Sequence, residues 1–360
     1  MRNLGILLLF PFHAARVFDY WDPFYVKNTG ASWVLSLFIA VTAYWFMPLL
    51  FYLAGASSWY ALKKRTGAQY LKERFHRLFI PLIFGLIIIV PPQGYIAKLT
   101  EKEFNSNYLE FLKSYFMDFS DLTGYFGSFT PAHLWFILYL FVFSLVSLPL
   151  FKLIEKLQSS SLKIIDYLNS PLVLVMLFIP LTLTEALPGP GGQNPFYYIL
   201  IFILGYIMSL SEGMQKAIGK LKFKALIFLI VYIPIWFSVM INNSNTGTWS
   251  LTAIGIAFMK NLAVWLTLIV ILGYGRKHLS KKSKIISYMN EAAFPVYILH
   301  QTILVIVSFY MVRLSIAIYL KFIIIVVLSF IITILLYEVL KRIEMARWLL
   351  GMKSNSDYRK

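Results

Sequence analysis

The chain has 360 residues, of which 59% are hydrophobic and 18% aromatic against 14% charged, a balance that excludes a soluble globular domain and describes a polytopic membrane protein. It contains no cysteine, so disulfides, thiolate metal sites and thiol nucleophiles are excluded. The formal net charge of +17 would suit a nucleic-acid binder, but basic residues in a membrane protein usually record topology, and their distribution decides between the two.

Hydropathy and helix breakers predict an all-α integral membrane protein with about ten transmembrane helices, near residues 3–18, 32–55, 78–92, 131–151, 171–187, 196–211, 225–242, 251–272, 293–311 and 322–340. The first helix opens with Arg2 and carries Pro11-Phe12-His13. At about 1.5 Å per residue, His13 lies roughly 16 Å from Arg2 along the axis, half a bilayer away. An ionisable group at that depth is a functional suspect, although a lone histidine can equally be bonded to a neighbouring helix. This segment reads as a retained signal anchor, because only one basic residue precedes it, Pro11 and His13 interrupt it, and no cleavage site follows. Tyr20, Trp21, Phe24 and Tyr25 come next as an outer aromatic belt. Arg16, one turn past His13, either orients an acceptor or joins Asp19 and Asp22 in an ion pair; the aspartates are expected at the outer surface.

With the N-terminus inside, the predicted cytoplasmic segments carry 24 of the 33 Lys and Arg, ending with a basic tail at 346–360 after a single membrane domain at 1–345. This alternation expects both termini in the cytoplasm and argues against a nucleic-acid partner. Arg74 and Arg77 stand just before the third helix, where an i, i+3 pair would present two guanidinium forks suited to phosphate, or simply anchor the helix end. The longest outer loop, 93–130, is expected to fold over the bundle as a lid or acceptor platform. Pro131-Ala132-His133-Leu134-Trp135-Phe136 opens the fourth helix at the outer interface, and Tyr297-Ile298-Leu299-His300-Gln301 puts Tyr297 and His300 on one face of the ninth.

Taken in order, the Arg2 to His13 spacing with Pro11-Phe12-His13, Arg74-x-x-Arg77 followed by Leu78-Phe79-Ile80-Pro81, His133-Leu134-Trp135-Phe136 and Tyr297-x-x-His300 resemble the type 3 acyltransferase family, most closely its glucan succinyltransferase branch. The resemblance covers nearly the whole chain. It implies a multi-pass protein of the cell membrane that transfers an acyl group from cytoplasmic acyl-coenzyme A to a hydroxyl of a glycan or lipid-linked sugar. One departure is that Arg2 directly follows Met1, where relatives carry several residues before this arginine, so either the true start or the grip on the donor is expected to differ.

A thioester is already activated, so the chemistry needs a base for the acceptor hydroxyl, cations for the donor phosphates and a donor of hydrogen bonds to the oxyanion. His13 is assigned the first role and Arg2, Arg74 and Arg77 the second. Arg16, His133, Trp135, Tyr297 and His300 are site-lining candidates, with His133 or Trp135 nominated for the oxyanion. No metal spacing, glycine-rich phosphate loop or Ser-His-Asp set stands out, so no metal or tightly bound cofactor is expected, and acyl-coenzyme A enters as co-substrate. The sequence leaves oligomerisation open. The principal alternative is a transporter or flippase for a glycan, lipid-linked sugar or organic anion, which shares ten helices and a basic entrance but should show inverted repeats.

Overall fold

The computed structural model describes residues 1–101, 104–121, 123–158, 169–243, 250–279 and 283–353. Lys163, Lys281, Lys282, Arg359 and Lys360, five of the cations assigned to cytoplasmic segments, lie outside the described residues. Every regular element among the described residues is helical. The elements are α1 (Arg2–Arg16), α2 (Trp33–Leu62), α3 (Gly67–Lys98), α4 (Tyr108–Tyr115), α5 (Trp135–Val146), α6 (Leu148–Gln158), α7 (Pro171–Met176) and α8 (Phe178–Thr184), then α9 (Pro195–Met208), α10 (Glu212–Asn242), α11 (Leu251–His278), α12 (Lys284–Met311), α13 (Ile318–Leu340) and α14 (Glu344–Leu349).

Each predicted segment holds helix, but among the described residues six helices (α2, α3, α10, α11, α12 and α13) are long and apolar enough to cross a membrane, and a seventh if the α5–α6 pair broken at Ser147 counts as one span. The remaining apolar segments are 15 residues in α1 and 14 in α9, with Pro171–Thr184 comparably short. All fall below the roughly 20 residues that a bilayer core asks of a straight helix.

The chain divides into two compact units. The first holds residues 43–70 and 143–281. There α10 packs along α11, Tyr44 and Thr267 share a 3.1 Å hydroxyl contact, and the buried Trp265 donates to the Leu174 carbonyl at 2.6 Å. Gly55 of α2 and Gly205 of α9 let two backbones touch, since a Cβ on Gly55 would overlap the Phe202 carbonyl and one on Gly205 that of Tyr52. Small residues at such crossings are the usual means of close packing in membranes. Phe151 stacks on Tyr206 at 3.7 Å beside them.

The second unit holds residues 2–42, 71–142 and 282–360. Its centre is α12, the most buried of the long apolar helices, against which α1, α13 and the end of α3 pack. Predicted to start at 78, α3 instead begins at Gly67 and runs through Pro81, Pro91 and Pro92. Two π turns, Phe75–Phe79 and Gly85–Ile89, absorb the missing amide donors, with the Val90 amide reaching back to Gly85 O at 2.8 Å. The expected basic tail also starts as structure: α14 buries Arg347, whose guanidinium donates to the Lys341 and Lys353 carbonyls.

Candidate functional site

Proline breaks set the site's backbone. Pro11 interrupts α1 two residues before His13, and Pro295 interrupts α12 two residues before Tyr297. On α3 the Gln93 amide bonds Val90 O at 2.9 Å. The Ile89 carbonyl, left over by this shift, accepts from the Thr302 hydroxyl at 2.6 Å. These irregularities bring polar groups to a depth where helices ordinarily present only apolar side chains, and each carbonyl so released needs a partner there.

Three of the chain's five histidines meet at this point. The His300 ring lies 5.3 Å from that of His13 and 5.2 Å from that of His133, centroid to centroid. His133 follows Ala132, whose φ of 47° is the left-handed conformation that a Cβ disfavours, held by a hydrogen bond from its amide to Thr130 Oγ1 at 3.2 Å. The contacts of His133 fix its tautomer. Ile298 O can only accept, so Nε2 at 2.9 Å carries the hydrogen, and Nδ1 is left to accept from Gln93 Nε2 at 3.4 Å. Both nitrogens are committed. The Tyr297 hydroxyl donates to the His133 backbone carbonyl, pinning the turn to α12. Gln93, fully buried, also donates to Thr302 Oγ1 at 2.7 Å and accepts from Gln301 Nε2 at 3.0 Å.

His300 is equally determined. Its Nδ1 lies 2.6 Å from Tyr297 O, an acceptor, so Nδ1 is protonated and Nε2 carries a lone pair. That Nε2 is buried with no hydrogen-bond partner, as is Nδ1 of His13. His13 itself is only partly buried, stacked at 6.2 Å on Phe24.

Phe24 and Tyr25 meet Tyr125 at 5.8 and 5.2 Å, so the segment between α4 and α5 reaches back to the loop that follows α1. Arg16 lies 6.0 Å from the Tyr125 ring and bonds Asp19 at 3.1 Å, Asp22 at 2.6 Å and the Pro23 carbonyl. The sequence put both aspartates at the surface. Asp22 is exposed, but the Asp19 side chain is completely buried, paired with Lys27 as well as Arg16. A buried carboxylate requires such cations, and here Arg16 comes from the end of α1 and Lys27 from the loop that folds back on it.

At the other end of α1, Arg2 Nη2 donates to the backbone and side-chain oxygens of Asn290, both at 3.2 Å, and Asn3 bonds the same side chain at 2.9 Å. The Arg2 guanidinium stands near enough to Arg77 for the two to repel. Arg77 is half-exposed and 3.4 Å from Glu73. A π turn at Phe75–Phe79 lies between Arg74 and Arg77, where the i, i+3 reading assumed α geometry.

Of the predicted residues, His13, His133, Tyr297 and His300 form one cluster and Arg2 with Arg77 another, about 16 Å apart along α1. Arg16 is engaged by Asp19 and Asp22, and Trp135 lies edge-on to Tyr139 at 5.3 Å. Gln93, Gln301 and Thr302 were not predicted as site residues. A glutamine just after an apolar run was the available signal for Gln93, hidden because Pro91-Pro92 read as the helix end.

The acyltransferase domain profile matches residues 1–338. Similar curated proteins include glucans biosynthesis protein C of Salmonella typhi, 22% identical over 236 residues that cover 60% of this chain and 58% of that protein. That of Salmonella schwarzengrund is 25% identical over 166 residues, 45% of this chain and 40% of that protein. The chain therefore spans about half the length of the curated relatives it matches. No solved structure matches. With the profile reaching from the first residue almost to the end of α13, this chain belongs to the acyltransferase 3 family of membrane proteins.

Proposed function

We propose that the chain is a membrane O-acyltransferase that takes an acyl group from cytoplasmic acyl-coenzyme A and delivers it to a hydroxyl of a glycan or lipid-linked sugar, with His13 as general base. The observation that carries this reading is a single helix with an arginine cluster at one end and a partly exposed histidine near the other. Arg2 and Arg77, with Arg74 beside them, supply charge for the donor phosphates. His13 takes the proton of the acceptor hydroxyl as its oxygen attacks the thioester carbonyl; the carbon–sulfur bond breaks and the proton passes to the leaving thiolate. Glucans biosynthesis protein C, as named, points the same way for the acceptor class.

Purified protein given labelled acyl-coenzyme A and a panel of glycan and lipid-linked sugar acceptors tests the reading. Label is expected on the acceptor, and acceptor moved unmodified across a vesicle membrane would establish a transporter instead. In the same assay Arg77→Ala and Arg74→Ala each weaken donor affinity about tenfold or more, from the roughly 1.5–3 kcal/mol of a charge-assisted contact. Unchanged affinity in the folded double variant would reduce both to topology signals.

The topology proposed with this function has ten crossings, three of them short, with both termini and position 70 on the cytoplasmic side and 93–130 outside. The chain is free of cysteine, so single cysteines report cleanly. An impermeant maleimide added outside is expected to label position 106 and spare the exposed position 64 in the same predicted cytoplasmic segment as position 70; labelling of position 64 from outside overturns the arrangement.

A further inference from the structure

The tautomers of two histidines are settled by their contacts, and together they determine the third. His300 gives its Nδ1 hydrogen to a backbone carbonyl, so the nitrogen it turns away from α12 is a bare lone pair. His133 can neither give nor take, because both of its nitrogens are engaged. On the neighbouring ring, Nδ1 is the buried nitrogen of His13 and has no partner. The rings of His13 and His300 are 5.3 Å apart and tilted by 40°, close to the spacing of two imidazoles joined by one N–H···N bond, although in this arrangement neither nitrogen is bonded.

Resting on the assignment of His13 as base, we infer that His300 is its positioning residue. A small rotation of the His13 ring lets its Nδ1–H donate to the unpartnered His300 Nε2, which holds His13 in the tautomer that turns a basic Nε2 toward the acceptor hydroxyl. When His13 takes the proton, the Nδ1–H bond to a lone pair strengthens and stabilises the imidazolium, a task that carboxylates perform for other catalytic histidines. A neutral partner suits this location, since a buried carboxylate would itself need a cation. Tyr297 and Gln93 act further out: they anchor His133, whose ring closes the third side of His300.

The test uses His300→Phe, which keeps a ring but offers no acceptor, and His300→Gln, whose amide oxygen can accept from His13. His300→Phe is expected to lower kcat about 10²-fold or more with the KM for donor within about twofold, and His300→Gln to recover to within about tenfold of the parent. Nitrogen-15 NMR of labelled histidine is expected to show His13 protonated at Nδ1 in the parent and shifted toward Nε2 in His300→Phe. His13→Gln is measured alongside. Near-normal turnover of that variant removes the base assignment itself. A dead His13→Gln beside a His300→Phe variant with normal kcat and an unchanged His13 tautomer overturns the role of His300 alone.

Discussion

Replacing His13 by glutamine or alanine is expected to lower acyl transfer by about 10² to 10⁴-fold, the usual loss with a general base. Donor binding should persist, because Arg2 and Arg77 lie eleven or more residues away in sequence and about 16 Å off along α1. Folding should persist as well, because His13 is only partly buried. The base works only as the neutral ring, so the parent's rate falls on acidification as His13 binds a proton, and this acidic limb is absent from the residual activity of the variants. Steady-state kinetics over a pH series, with donor affinity and melting temperature measured on the same samples, decides the matter. Near-parent turnover in His13→Gln would move the search to His300, since His133 has no free nitrogen.

The second large effect concerns folding. At Gly55 and Gly205 the backbones of α2 and α9 touch, and any Cβ there overlaps a carbonyl oxygen rather than a movable side chain. Gly205→Val must therefore push two helices apart. Overpacking against flexible neighbours costs about 1–3 kcal/mol, and against backbone the cost should exceed that range, a large share of the total stability of most domains. Purified yield and detergent-resistant melting are expected to collapse in Gly205→Val and in Gly55→Val. Gly255→Val serves as control, since nothing lies within 4 Å of where its side chain begins. Retention of the parental melting temperature by Gly205→Val would show that the crossing is loose.

Much of the cluster was legible because polar groups within apolar helices are conspicuous: His13, Tyr297 and His300 stood out for that reason, whereas His133, at a helix opening, stood out through the family resemblance. Their neighbours were not. Gln93 follows two prolines that read as an end to the helix, and the π turns that carry α3 through them have no simple signature. Helix starts fared worst where charge masks helicity, so Lys72, Arg74 and Arg77 concealed the first turns of α3. Burial of Asp19 depends on Lys27 returning from a loop, a long-range event that hydropathy does not encode. The left-handed Ala132 is likewise a product of its surroundings, because alanine announces no such preference.

The two histidines behind His13 give their ring hydrogens to backbone carbonyls of α12, Tyr297 O for His300 and Ile298 O for His133. A carbonyl cannot pass a proton onward, so the cluster is a terminus and not a conduit. On the proposed chemistry, the proton drawn from the acceptor has to return by the ring that took it, to the sulfur that departs. The histidine cluster then moves no charge across the bilayer, and dissipating the proton-motive force should leave its chemical step running.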